Sequence, residues 1–298
     1  MKWKTIFLIA IAINVCIIPE QVSKDLNFKP KIGIIGCAGR QGKILIRKLS
    51  ESSDCMLSEG CVNKNGKGND LGEIAGMQAL HKIATTNAEE VFKSSDVVID
   101  FTNPKSTLVH IELAKKYKKP LVIGTSGFSM DEQKYILEQG KYIPIFLGSE
   151  MSTGFTKGMT LLLHLAEEAA TYLDDSFDAE IIDTIHRYKK DAPSGAAKSL
   201  AAAIQKGRRN NNETLYELNK NQLRKKGSVG VASVRGGQEL GTHAVCFFGD
   251  DDVIELKHEA KNKDTYANGA ITASLWIHNR APGIYTMRDV LNLKKKKS

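Results

Sequence analysis

Through its first half the chain alternates short apolar runs with amphipathic stretches. Runs of strand length fall at 32–35, 56–62, 97–101, 121–124 and 143–147, and stretches of helical period at 40–50, 106–117 and 130–139 separate them. Strands that alternate with helices predict a doubly wound parallel sheet, because each crossover helix returns the chain to the same edge. After residue 150 the pattern changes. A long apolar helix is expected over 156–172, followed by a strand ending near Ile181 and Ile182, an alanine-rich helix over 196–204 and a polar insertion at 206–226. Three β-rich runs follow at 229–235, 242–248 and 253–258, joined by Gly- or Asp-rich turns of which Gly249-Asp250-Asp251-Asp252 is the clearest. They predict a mixed or antiparallel sheet, and with it a second domain of α+β type.

Two motifs add chemistry to this outline. Lys31 to Ile46 reads as an apolar strand, a turn and a helix, with Gly36, Gly39 and Gly42 in a G-x-x-G-x-x-G variant of the dinucleotide fingerprint. Missing side chains there let the backbone approach a pyrophosphate at the helix N-terminus, beside Arg40 and Gln41. The first sheet is accordingly expected to be Rossmann-type, although three close glycines also suit a plain tight turn. The second motif is Ile185-His186-Arg187-Tyr188-Lys189-Lys190-Asp191-Ala192-Pro193-Ser194-Gly195. It sets an imidazole and an ammonium ahead of a helix start at Ser194 and Gly195, whose free N–H groups bind anions. That arrangement suits a dicarboxylate; the alternative is a basic surface loop before an ordinary capped helix.

Charge bears on the nucleotide. The second strand ends Cys61-Val62-Asn63-Lys64-Asn65, without the carboxylate that holds a ribose hydroxyl in NAD-specific folds. With Lys64 and Arg40 at hand, NADPH is expected to be tolerated or preferred over NADH, unless Glu59, four residues before Asn63, is the acid in another register. The net charge of +8 includes four lysines of the tail, Lys294 to Lys297, and no nucleic-acid motif accompanies it. Attraction of anionic substrates accounts for it. Five cysteines, Cys16, Cys37, Cys55, Cys61 and Cys246, are odd in number and lack metal spacing, so neither a disulfide framework nor a metal site is expected. Lys2 and Lys4 precede an apolar run at 6–18 in the layout of a signal peptide, but bulky Ile17-Ile18-Pro19 follows where small residues would mark cleavage. An interfacial anchor or a non-native upstream extension are the other readings of residues 1–30.

Beyond Pro30 the chain resembles the 4-hydroxy-tetrahydrodipicolinate reductase (dihydrodipicolinate reductase) family. The glycine turn, Asp100-Phe101-Thr102-Asn103-Pro104, Ile123-Gly124-Thr125-Ser126-Gly127-Phe128, the Lys189 to Gly195 loop, Ala267-Asn268-Gly269-Ala270 and Met287-Arg288-Asp289-Val290-Leu291 carry the resemblance, in the family's order. It implies a reductase in which NADPH or NADH gives hydride to the ring of 4-hydroxy-tetrahydrodipicolinate, with loss of its hydroxyl, in lysine and diaminopimelate biosynthesis. Lys189 would supply the proton, while His186, Ser194, Gly195 and Ser126 hold the carboxylates. Phe101, Thr102, Gly124, Thr125, Ser126 and Lys263 would meet the cofactor, and no metal is called for. The resemblance further implies a dinucleotide domain of 31–150 with 263–298, a substrate and oligomerisation domain of 151–262, and a homotetramer built on the second sheet. A cytoplasmic or organelle-interior location, where reduced nicotinamide is replenished, follows from that activity.

Four departures from the family pattern matter. Ile185 stands where the first of two histidines is expected, Ala196 replaces a Thr of the carboxylate cradle, Glu150 an Asn, and Lys263 an Arg. Losing a general acid typically costs on the order of a hundred- to ten-thousandfold in rate. A catalytically impaired NADP-binding homologue, or a Rossmann dehydrogenase of another substrate, is therefore the alternative. Lys64→Glu should weaken NADPH binding far more than NADH binding, by setting a carboxylate against the 2′-phosphate. Equal losses in a fluorescence titration would mean that the second strand ends elsewhere.

Overall fold

The computed structural model describes residues 28–63, 66–148, 154–209, 213–215, 223–262 and 264–293. The apolar run near the N-terminus, Lys64, Glu150 and Lys263 lie outside them. The chain begins with β1 (Lys31–Ile35), α1 (Arg40–Ser50), β2 (Met56–Cys61), α2 (Leu71–Ile74), α3 (Ala88–Ser94), β3 (Val97–Asp100), α4 (Pro104–Tyr117), β4 (Leu121–Ile123), α5 (Met130–Gln139) and β5 (Pro144–Leu147). It continues through α6 (Lys157–Ala169), β6 (Asp178–Ile185), α7 (Gly195–Arg208), β7 (Thr214–Leu215), β8 (Val229–Arg235), β9 (Thr242–Phe248) and β10 (Val253–Glu259). The last elements are α8 (Thr265–Ile277), β11 (Gly283–Tyr285) and α9 (Met287–Val290).

The first sheet is parallel throughout, in the order β11-β5-β4-β3-β1-β2. Its central strands are buried on both faces, which is why Val97-Val98-Ile99 and Leu121-Val122-Ile123 read as unbroken apolar runs. Alternation along the strands then serves two cores. Ile32, Ile34, Ile99, Val122 and Phe146 pack with Leu45 of α1 and Ala270 and Ile277 of α8, while Val98, Leu121, Ile123 and Ile145 pack with Ile111 of α4 and Ile136 of α5. Helix starts follow local chemistry. Asn103 caps α4 ahead of Pro104, and Ser129 with Glu132 forms a capping box on α5.

The second sheet is mixed, in the order β10-β9-β6-β8-β7. Of the mixed or antiparallel arrangements expected, the mixed one forms: β9 and β10 make a hairpin, while β8 lies parallel to β6 on its other side. The Gly-rich turn after β8 is the reason. Gly236 N–H donates to the Ile185 carbonyl at 3.0 Å and Arg187 N–H to the Gly237 carbonyl at 3.3 Å, carrying the chain over the end of β6. Within the polar insertion, α7 extends to Arg208 and β7 adds an edge strand. Helices α6 and α7 cover one face of this sheet through Leu162, Leu163, Ala197, Leu200 and Ile204, against Ile181, Val231 and Phe247.

Phe155 marks the passage from one sheet to the other. It is 1% exposed, its ring stacked on Phe146 at 5.8 Å and tilted to Phe101 at 5.5 Å. A Cβ on Gly148 would fall 2.1 Å from that ring, and one on Gly269 of α8 2.1 Å from the Phe155 carbonyl oxygen. Only glycine fits at either place, because outgoing and returning chain close on the same residue. Phe155→Ala is expected to cost about 3–5 kcal/mol in urea unfolding; a loss below about 1 kcal/mol would show that the junction collapses around the cavity.

Candidate active site

The glycine turn is built by close approach. Gly36 has φ +85°, a region that disfavours side chains, and a Cβ there would lie 2.2 Å from the Phe101 carbonyl oxygen. A Cβ on Gly42 would lie 2.4 Å from the Gly36 carbonyl. Gly39, the N-cap of α1, brings no capping side chain, so the helix start remains available to an anion. Burial pushes the neighbouring Cys37 thiol up to about 12, which removes it as a nucleophile. A groove of about 340 Å³ joins Gly39, Arg40, Gln41 and Gly42 to Phe101 and Thr102 and to Gly124, Thr125 and Ser126. Glu59 opens instead onto a separate depression with Lys67 and Thr85, away from Arg40.

Beneath the groove the loops after β3 and β4 are tied together. Asp100, fully buried, accepts from Thr102 Oγ1 at 2.6 Å and lies 2.8 Å from His110 Nδ1. Thr125 Oγ1 accepts the Thr102 N–H at 3.0 Å and bonds Thr107 Oγ1 at 2.9 Å. Thr125 therefore spends its hydroxyl on the loop rather than presenting it to a ligand.

A larger cleft of about 640 Å³ continues from this groove to the second sheet. Arg40, Gln41, Phe101, Gly124 and Ser126 form its nucleotide side, and Lys189, Ser194 and Gly195 its far side. Two motifs some 150 residues apart thus share one opening. Lys189 Nζ pairs with Asp191 Oδ1 at 2.7 Å, which holds the Asp191 carboxyl below its usual range. Ser194 caps α7 by accepting the Ala197 N–H at 3.2 Å, leaving the N–H groups of Gly195 and Ala196 in the first turn, where helices offer no internal acceptor. Ile185 is buried and lines the cleft. His186 is the expected site residue that the fold does not bring to this wall. Inward positions alternate along β6, so with Ile185 turned inward the next side chain turns away, to pack near Tyr188 at 6.2 Å.

Four residues that sequence reasoning passed over complete the site. Asp183, fully buried on β6, accepts from Arg235 Nη2 at 2.9 Å and from the Ser194 N–H at 2.9 Å and hydroxyl at 2.8 Å, and lies 3.2 Å from His243 Nε2. Burial by itself would raise this carboxyl. The bonds from His243, Ser194 and Arg235 outweigh burial and hold it well below the usual carboxylate range. His243 and His258 both line the cleft. The signal was present: alternation of Ile181, Asp183 and Ile185 puts a carboxylate on a buried face, and a buried charge requires partners.

A glycine turn on a parallel sheet, open to a second, mixed sheet through a cationic cleft, defines an enzyme of the Rossmann type. Models of dihydrodipicolinate reductase match the chain, the N-terminal one over residues 30–151 and the C-terminal one over 158–291. The chain belongs to the dihydrodipicolinate reductase family. Relatives named 4-hydroxy-tetrahydrodipicolinate reductase include one from Hahella chejuensis, 36% identical over 269 residues, covering 89% of this chain and 99% of that protein. Another, from Ehrlichia ruminantium strain Gardel, is 39% identical over 275 residues, covering 88% and 98%. The fold is also that of the dipicolinate-bound dihydrodipicolinate reductase from Paenisporosarcina sp. TG-14, with a TM-score of 0.71 at 21% identity, over 90% of this chain and 100% of that one.

A carboxyl lowered by folding stabilises the protein above its unfolded pKa, about 3.9, and loses that contribution as pH falls through its lower folded value. Asp183→Asn should therefore destabilise the protein at pH 7 by about 3–5 kcal/mol, since Arg235 loses its buried partner. The gap to the parent should narrow only below about pH 4. A gap in thermal or urea unfolding that is unchanged down to pH 2 would contradict this.

Proposed function

We propose that this chain is an NAD(P)H-dependent reductase that converts 4-hydroxy-tetrahydrodipicolinate to tetrahydrodipicolinate in lysine and diaminopimelate biosynthesis. The observation that carries the reading is the single cleft joining the glycine turn to the start of α7, with Lys189 between them. The names of the relatives agree with it. The backbone cradle at Gly36 and Gly42, which any Cβ would fill, fits a pyrophosphate. Gly39, Arg40, Gln41 and Gly42 would hold it, with Phe101, Thr102, Gly124 and Ser126 beside the nicotinamide. When bound, the reduced nicotinamide supplies the hydride. Arg40 favours NADPH, by the charge of its 2′-phosphate; Lys64 joins it on sequence grounds, and Lys263 meets the cofactor's side of the hinge.

The residues of the chain do the rest. N–H groups of Gly195 and Ala196 receive one substrate carboxylate, and Ser126 approaches from the nucleotide side. The ring's hydroxyl leaves as water with a proton from the neighbouring carbon, and Lys189 then returns a proton to that carbon, beside the one that takes hydride. Its ammonium pairs with Asp191 until a substrate carboxylate competes for it. His186, half-buried behind Ile185, steadies the loop in this scheme. A second reading, an impaired homologue, draws on Ile185, which places an apolar side chain on the cleft wall where the family carries an imidazole.

The face of the second sheet opposite α6 and α7 bears exposed Ile182, Val234, Phe248 and Val253. An uncovered apolar sheet face supports the homotetramer, with 151–262 as the oligomerisation domain and 31–150 with 263–298 as the dinucleotide domain. We place the protein in the cytoplasm or an organelle interior, where the reduced cofactor is regenerated.

Lys189→Ala should lower turnover by about a hundredfold or more while leaving the oligomer intact. The assay follows loss of NADPH absorbance coupled to the preceding synthase, with pyridine-2,6-dicarboxylate as inhibitor. Activity within a few-fold of the parent would remove Lys189 from the chemistry.

A further inference from the structure

Of the groups lining the cleft, His243 and His258 belong to neither the glycine turn nor the Lys189 loop, and His243 is the one that meets Asp183. Its Nε2 lies 3.2 Å from Asp183 Oδ1, and its Nδ1 is buried without a hydrogen-bond partner. The residue is 7% exposed, yet it lines the cleft together with Lys189, Ser194 and Gly195. A buried ring nitrogen left unsatisfied is destabilising, and a ligand atom would recover that loss.

Sheet register relates His243 to Ile185. β6 and β9 pair Asp183 with His243 and Thr184 with Thr242, so the same register sets Ile185 opposite Gly241. His243 is then the diagonal neighbour of Ile185 on the same face, about 7–8 Å away. Gly241 matters here: a Cβ on it would stand 3.6 Å from His243 Cε1, the carbon between the two ring nitrogens, and Gly241 itself lines the cleft. A glycine at that position leaves this edge of the imidazole open. Across β10, His258 pairs in register with His243, and a Cβ on Gly158 would meet its ring at 2.6 Å.

We propose that His243, held by Asp183 through Nε2, is a substrate-contacting imidazole of this site, whose Nδ1–H donates to the carboxylate resting on the start of α7. It supplies from β9 the ring that Ile185 lacks on β6. With Asp183 accepting at Nε2, a neutral ring offers Nδ1 as an acceptor, and only the protonated ring offers a donor to an anion. The charged and titratable groups around it are Asp183 on β6, Arg235 on β8, His258 on β10 and Lys189 in the loop. Arg235 is engaged by Asp183. Burial first, and then the neighbouring His243, lower the pKa of His258. Ser194 does not make this trio a nucleophilic relay. Its hydroxyl donates to Asp183 and caps α7, with His243 Nε2 at a longer 3.5 Å.

The assignment rests on reading the cleft as a dicarboxylate site, and calorimetry with pyridine-2,6-dicarboxylate on the NADPH-loaded protein tests it apart from turnover. The parent should bind the dicarboxylate more tightly as pH falls from 8 to 6. His243→Gln should weaken it about tenfold or more at pH 6, flatten that dependence and leave NADPH affinity unchanged, since His243 does not line the groove at Gly39. Affinity within threefold of the parent at every pH overturns the proposal, as does a parent that does not bind the dicarboxylate. Should His243→Gln fail to fold, imidazole NMR titration of the parent decides, with His258→Gln assigning the two rings. The dicarboxylate is expected to raise the pKa of His243, and an unshifted value refutes the contact. Turnover without a His243 effect sinks this inference alone; a His243-dependent binding profile in a protein without turnover sinks the reductase reading and leaves the contact standing.

Discussion

Everything the cleft can do depends on how closely the two sheets approach at Phe155. One half of the opening belongs to the first sheet and the other to the second, so its width is set where the chain crosses between them. Gly148 and Gly269 press directly on Phe155, while Phe101 and Phe146 pack around its ring. Close packing of this kind transmits displacement instead of absorbing it. A shift of α8 would therefore move the floor of the nucleotide groove, through Phe101, together with the entrance to α6.

A second constraint acts within the second sheet. Asp183 is a full charge in an otherwise apolar layer, and its partners come from β8, β9 and the start of α7. Each fixes one element against β6. Strand order and the position of the anion-binding helix start are thus coupled through one carboxylate, and the hydrogen bonds that lower its pKa also aim the site.

Much of this was legible in the chain. The first sheet reads plainly because its strands are buried on both faces and its helices are amphipathic, and the glycine turn announces itself because no other residue survives at Gly36 and Gly42. The second sheet was less readable. Periodicity distinguishes a strand from a helix, but it says nothing about which strand lies beside which, so β8 and β9 looked like neighbours although β6 separates them. Site residues divide the same way. Lys189, Ser194 and Gly195 sit in a compact motif and were found together, whereas Asp183, Arg235, His243 and His258 are scattered over four strands and meet only through register. His186 was grouped with Lys189 by spacing along the loop, and the alternation of β6 turned it aside.

The start of α7 has one further consequence. Ser194 has already committed its hydroxyl, to Asp183 and to its own helix, and what faces the cleft there is main chain. Recognition written in peptide groups cannot be erased by exchanging a side chain, as long as the helix still begins at that place. Drift at the positions of Ile185 and Ala196 therefore alters the surroundings of the anion without removing its seat, and a lineage can wander through such substitutions while its ligand class stays inherited with the fold.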